Sequence, residues 1–364
     1  MEQNAQRELR SADPHWTASE SMAHVLAALK SDGPALVFAP SSLTHVPQAI
    51  TLVIRTTGSS GAAKEVGLSA SALISSARAS NKALGAQPGN TWSLLLPLSH
   101  IAGINVLIRA IELGTEPIDL RSHKGEFPRA DFTAIVPTQL FKALNGDDQL
   151  LKHLKDAKAV LVGGAALAAD LHLQAKNAGI NIVVTYGMTE TSGGCVYDGV
   201  PLDGVEISIT SEKRIAIKGT VLAHTYLGAE ELWDEKLKDG WFISSDFGRI
   251  ENGKLIVEGR SDDVIITGGE NISLSAIENS LHDHFPQVSF AAFSVNDEQW
   301  GESLHVAIAG EKSISDVEIS QYLSEHFGDF SKPKGYLHLA KLPLIGIGKV
   351  DRKKLIELYM EASH

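Results

Sequence analysis

A chain of 364 residues that is 43% hydrophobic and 21% charged, with 32 glycines, has the composition of a globular α/β protein long enough for two packed units, which excludes a staple-dependent miniprotein and a disordered tether. Its 32 Lys and Arg against 44 Asp and Glu leave a net charge of −12, which repels a phosphate backbone or an anionic lipid surface, so neither nucleic acid nor membrane insertion is expected. The single cysteine, Cys195, allows no internal disulfide and no cysteine zinc cluster, and Met1 to Arg10 lacks the apolar core of a secretory signal; a cytoplasmic location follows as the expectation.

The first fifty residues hold one helical pattern around Met22 to Leu29 and a turn at Asp32-Gly33-Pro34, with no evident chemistry. From Ile50 to Ile54 an apolar burst predicts a strand, followed by a glycine-serine loop and a helix led by Ser69 with Leu73, Ala77 and Leu84 on one side. Further bursts at Trp92 to Leu96, Ala134 to Val136, Ala159 to Val162 and Ile182 to Thr185 predict a mainly parallel, buried sheet with crossover helices. After Pro201 the runs Glu206 to Ile209, Arg214 to Ile217 and Lys254 to Val257 alternate and predict antiparallel strands. Beyond the charged stretch Gly259 to Asp263, Ile277, Leu281 and Phe285 recur at helical spacing, then come strands at Phe290 to Val295 and His305 to Ala309, a helix near Val317 to Phe327 and a tail helix from Lys353 to Tyr359. The expected architecture is α/β: a large N-terminal α/β domain over 1–261, with mainly parallel sheets plus an antiparallel subdomain, and a small mobile α+β C-terminal domain over 262–364.

Five stretches carry chemistry. Arg55-Thr56-Thr57-Gly58-Ser59-Ser60-Gly61-Ala62-Ala63-Lys64 offers hydroxyls, glycine amides and a terminal cation to phosphate oxygens, although Ala63 and Glu65 around Lys64 exclude the nucleotide-hydrolase P-loop. Thr185-Tyr186-Gly187-Met188-Thr189-Glu190-Thr191 supplies an aromatic face, a hydroxyl and a carboxylate suited to a hard cation such as Mg²⁺. Downstream stand Gly240 to Arg249, with Asp246, then Gly259 to Ile272, with Arg260, Asp262, Gly268 and Gly269, and finally Gly346 to Arg352, with Lys349.

In this order, from about Ile54 to Leu355, the five stretches resemble the signature motifs of the adenylate-forming superfamily of acyl-CoA synthetases, peptide-synthetase adenylation domains and luciferases. The resemblance implies that Thr56, Thr57, Gly58, Ser59, Ser60, Gly61 and Lys64 close over the phosphates of ATP. It places Tyr186 against adenine, followed by Gly187 and Met188, with the Gly163-Gly164-Ala165 loop beside the adenine and acyl pockets. Thr189 is expected at the α-phosphate, Glu190 on Mg²⁺, Asp246 on the ribose hydroxyls with Arg260 beside it, and Asp262 as the hinge. Lys349, Glu190 and His100 form the implied catalytic set, and Gly268-Gly269 admits the pantetheine arm of CoA. The family usually has proline before the phosphate-loop lysine and glycine after it, where this chain has Ala63 and Glu65.

The compact layout and the Pro97-Leu98-Ser99-His100-Ile101-Ala102-Gly103 stretch further resemble the o-succinylbenzoate:CoA ligases of menaquinone synthesis. That implies ATP-dependent adenylation of a carboxylic acid and its transfer to CoA, with small molecules as partners and room for a homo-oligomer. The alternatives are another aryl- or acyl-CoA ligase, or an adenylating enzyme that loads a carrier protein. Cys195 reads as inert packing, and His282-Asp283-His284 as a solvated helix end, because positions i and i+2 face different sides of a helix. Arg109 follows the His100 motif without a direction that sequence can give.

Overall fold

The computed structural model describes residues 5–57, 63–267, 270–297, 301–310, 314–345 and 349–362. Gly58, Ser59, Ser60, Gly61, Gly268 and Gly269 lie outside the described residues, as do the side chains of Thr57, Asp262 and Lys349.

Continuous apolar runs make strands buried on both faces, and a seven-stranded sheet holds most of them. Trp92–Leu94, Phe132–Ile135, Ala159–Val162 and Ile182–Met188 run parallel, with Ile118–Asp119 at one edge; Gly193–Tyr197 and Val200–Pro201 continue the sheet antiparallel at the other. Against it packs the helix Ile101–Leu113, which Gly114 ends in the left-handed conformation at φ 70°. Its first turn presses so closely on the loop before it that a Cβ at Gly103 would collide with the Pro97 carbonyl.

A second, six-stranded sheet is mixed. Ile50–Thr57 is followed not by a loop into the helix but by a second strand, Ala63–Ser69, which returns antiparallel and sets Thr56 opposite Lys64 and Arg55 opposite Glu65. Val66, Gly67 and Leu68 are all buried and the charged pair Lys64 and Glu65 before them is half-buried, so the strand shows no period-two pattern. Ser69 then caps the helix Ala70–Ala83 by accepting from the Ala72 amide at 3.2 Å. The first fifty residues also join this sheet, through Gln6–Ser11, Ala35–Val37 and His45–Pro47. Arg7, 6% exposed, is tolerated there because its guanidinium donates to the carbonyls of Ala28, Gly33 and Ile50.

The antiparallel part contains Val205–Ile209, Arg214–Gly219, Leu237–Lys238, Trp241–Glu251 and Lys254–Arg260. One hydrophobic core spans residues from Ala18 to Leu255 and so joins all three sheets. From Val264 onward the chain builds its own sheet from Val264–Thr267, Glu270–Ser273, Gly301–Ala309, Ser289–Asp297 and Gly335–Leu339. Alternation along Ser289–Asp297 serves two cores: Phe290 and Ala292 face Ile277, Leu281, Ile319 and Leu323, while Ala291 and Phe293 face Leu355 of the last helix, Arg352–Ala362. His282 differs from the solvated reading, for it packs edge-on to Phe290, where burial lowers its pKa, while His284 is exposed as expected and stacks on Tyr322. Among the described residues, no helix is long and apolar enough to cross a membrane.

Candidate active site

Strand Ile182–Met188 carries the first half of the site. Its register breaks between Tyr186 and Gly187, and a Cβ at Gly187 would run into the Gly193 carbonyl, so the strands close up only over a glycine. Gly163, just after Ala159–Val162, packs against Thr185 in the same way, and Gly164 turns at φ 83°. The predicted Gly163-Gly164-Ala165 loop is thereby laid beside the Tyr186 strand.

The Tyr186 hydroxyl donates to Asp246 Oδ2 at 2.7 Å, and Arg260 Nη1 lies 3.0 Å from Asp246 Oδ1. Asp246 and Arg260 face each other across paired strands, and Asp246 is 4% exposed. Burial, reinforced by the Asp246 charge, pushes the Tyr186 phenol above its ordinary range, so it remains a proton-bearing donor. A buried carboxylate is costly unless paired, and here a phenol from one sheet and a guanidinium from another hold it in a single orientation. Three residues predicted at the adenosine end thus meet in one cluster.

The second cluster surrounds Glu190, in the short turn Thr189–Thr191. Thr191 Oγ1 accepts from the Met188 amide at 2.9 Å and donates to the Gly193 carbonyl at 2.7 Å. Ser192 follows in the left-handed conformation at φ 52°; its carbonyl accepts from Ser76 Oγ at 2.9 Å and Asn105 Nδ2 at 2.8 Å. The Ala223 amide donates to the Glu190 carbonyl at 2.8 Å. Two helices and a loop therefore fix the backbone beneath the carboxylate.

The carboxylate itself is held by a residue that sequence reasoning missed. Tyr226, in Thr225–Leu227, donates to Glu190 Oε1 at 2.7 Å, and the Lys64 ammonium lies 5.2 Å from the centre of its ring. Burial first, and the Glu190 charge next, raise the Tyr226 phenol above its usual range and keep it a donor. No local signal marks Tyr226, because its position depends on Tyr226 pairing with Val66 across the sheet. Tyr226→Phe keeps the edge contact with Trp233, 5.2 Å between centroids, but frees the carboxylate. Losing such a supporting bond costs about 10–100-fold in metal affinity or activity, so the variant is expected to need more Mg²⁺ for half-maximal pyrophosphate release in a Mg²⁺ titration.

The donor set fits a magnesium ion that travels with a nucleotide. Among the described residues no three His, Cys, Asp or Glu side chains gather into a metal cage. One oxygen of Glu190 is taken by Tyr226, which leaves the other for the cation and the remaining positions for phosphate oxygens and water, the arrangement Mg²⁺ favours.

His100 stands at the start of helix Ile101–Leu113, half-buried, with its carbonyl accepting from the Gly103 and Ile104 amides. Arg109 lies farther along the same helix and is 3% exposed, its guanidinium 4.9 Å over Trp92 and Nη2 donating to Tyr197 at 3.3 Å. Its Nε has no partner, and no carboxylate pairs with it among the described residues. Lys349 pairs through its backbone with Ile345, and Asp262 lies in the turn Ser261–Asp263. Cys195 is 1% exposed, and burial pushes its thiol up to about 12, so it is neither a nucleophile nor a ligand at neutral pH. Cys195→Ser is expected to keep at least about half of the overall rate; a folded but inactive variant, checked by circular dichroism beside the assay, would refute that.

The AMP-binding enzyme family matches residues 5–226. A probable 2-succinylbenzoate–CoA ligase of Mycobacterium tuberculosis is 36% identical over 378 aligned residues, covering 95% of this chain and 97% of the relative. Among solved structures, the o-succinylbenzoate CoA synthetase of Bacillus subtilis, in complex with its acyl-adenylate intermediate, aligns with a TM-score of 0.74 at 22% identity, over 96% of this chain and 78% of the other. The same synthetase in complex with ATP and magnesium ion gives a TM-score of 0.73 at 21% identity, over 96% and 79%. The fold is thus that of these synthetases, and with the sequence match running through the Tyr186 and Glu190 segment, the chain belongs to the AMP-binding enzyme family.

Proposed function

We propose that the chain is an AMP-forming acid–thiol ligase that joins o-succinylbenzoate to AMP and passes the acyl group to CoA, as a step of menaquinone synthesis in the cytoplasm. The observation that carries the nucleotide half is Asp246, buried yet aimed and fixed by Tyr186 and Arg260, as a bidentate acceptor for two vicinal hydroxyls would be. The choice of acid rests on the relative that is 36% identical along nearly the whole chain.

In the first step a carboxylate oxygen attacks the α-phosphorus, an O–P bond forms, and the bond to the β-phosphate breaks to release pyrophosphate. Mg²⁺, when bound, offsets the charge on the phosphate oxygens. Glu190 holds that ion, its backbone fixed from Ser192 and its side chain from Tyr226, while Thr189, Thr56, Thr57, Lys64 and the 58–61 segment line the phosphates. Lys349 bridges the carboxylate and the α-phosphate. In the second step the CoA thiolate attacks the acyl carbon and AMP departs with the electron pair of the broken C–O bond. Residues 262–364 turn about Asp262 between the steps, withdrawing Lys349 and presenting Gly268-Gly269 to the pantetheine arm.

The test is AMP formation from ATP and o-succinylbenzoate with free CoA or a phosphopantetheinylated carrier protein as acceptor. Preference for free CoA is the expected result, and preference for the carrier would move the chain to the carrier-loading class.

A further inference from the structure

Residue 262 is bracketed. On the side of the large core, Arg214 Nη1 donates to Ser261 Oγ at 2.9 Å and to the Ser244 carbonyl at 3.4 Å. On the other side, Ser275 Oγ donates to Asp263 Oδ2 at 2.7 Å, and Arg352 Nη1 lies 3.3 Å from Asp263 Oδ1. The same guanidinium donates through Nη2 to Glu278 Oε1 at 2.9 Å and through Nε to the Ala292 carbonyl at 2.9 Å. Glu278 Oε1 also accepts from the Ala292 amide at 2.8 Å.

All three faces of one planar cation are thereby spent on three different elements: the turn beside residue 262, the helix Leu274–His284 and the strand Ser289–Asp297. Such a fork is the geometry for which arginine and not lysine is suited. The Asp263 and Glu278 side chains are each 17% exposed, so the cation between them also screens two carboxylates that would otherwise repel each other in a poorly solvated place. Burial raises Glu278 to about 7 while Arg352 pulls it down, as expected of an acid that needs this partner.

Arg352 stands three residues after Lys349, and the intervening chain has little slack. Lys349 and Val350 pair with Ile345 and Leu344, and the Asp351 amide donates to the Pro343 carbonyl at 2.9 Å. Three residues span at most about 11 Å when extended. We infer that Arg352 is a positioning residue, which ties the Lys349 segment to the residue beside the pivot so that rotation about 262 delivers the lysine amine to one fixed place. The inference rests on the reading of Lys349 and Asp262 given above, and adds the part that makes the moving piece rigid.

The test compares Arg352→Met, Arg352→Lys and Lys349→Ala in the full chain, in two half-reactions: acid-dependent pyrophosphate release, and thioester formation from presynthesised acyl adenylate and CoA. Removing a group that only places another costs about 10–100-fold. Arg352→Met is expected to lose that much in adenylation, with KM for ATP within about threefold and the thioester step within about threefold. Arg352→Lys is expected to recover part of the loss, because one ammonium reaches one carboxylate at a time. Should Arg352→Met prove insoluble, Arg352→Lys carries the same comparison between half-reactions. Equal damage to both half-reactions would mark a merely structural arginine and overturn the inference, as would normal adenylation in Arg352→Met beside a crippled Lys349→Ala. If Lys349→Ala itself adenylates normally, the lysine assignment falls and takes this inference with it, whatever the arginine variants do.

Discussion

An acid that lacks the second carboxylate of o-succinylbenzoate, such as benzoate or octanoate, is expected to lose up to about 10⁴ in kcat/KM in a pyrophosphate-release panel. A site built to receive a second charge leaves its own buried polar groups unpaired when that charge is missing, and unpaired buried groups discriminate far more strongly than a missing methylene does. Arg109, on the helix that His100 begins, is a buried cation whose guanidinium lies over Trp92 and donates to Tyr197. Gly193 and Gly194, just beyond Glu190, are set by their neighbours. Gly193 turns at φ 99°, where a Cβ would run into Asn105 Nδ2, and a Cβ at Gly194 would lie 3.2 Å from Tyr197. Packing accounts for both glycines, so the weight falls on the panel. If octanoate or benzoate equals o-succinylbenzoate, the menaquinone step is lost and a general acyl-CoA ligase remains.

Lys349→Ala is expected to slow adenylation by about 10²–10³ while thioester formation from a presynthesised acyl adenylate stays largely intact. On the proposed rotation about Asp262 the lysine stands at the α-phosphate only in the first step, so its preorganised charge lowers that barrier without contributing to attack by the thiolate. Parallel measurement of the two half-reactions separates this outcome from a general loss of fold. Equal slowing of both would place the lysine outside the chemistry.

The active-site turn illustrates what a local sequence pattern carries. Tyr186, Thr189 and Glu190 follow an apolar burst that had to be a strand, and the strand Ile182–Met188 does end in the turn Thr189–Thr191. Ser69 was legible as a helix start because its hydroxyl can cap the Ala72 amide three residues on. The two cores beyond Val264 follow from apolar residues at period 2 and near 3.6, which sequence displays directly.

What escaped the sequence was which side chains bond directly to which at long range, the Asp246–Arg260 pair excepted. Tyr226 reaches Glu190 from 36 residues away, Asp246 reaches Tyr186 from 60, and Arg352 reaches Glu278 from 74. The strand Ala63–Ser69 was hidden as well, since Lys64 and Glu65 sit at the neck of the hairpin where alternation has no buried face to report. By itself the sequence determined most of the elements, their order and the chemical groups available, because periodicity and capping act within a few residues. Only the tertiary structure decided which carboxylate is clasped by which phenol or guanidinium, because one residue of slip in a sheet sends a side chain to the opposite face.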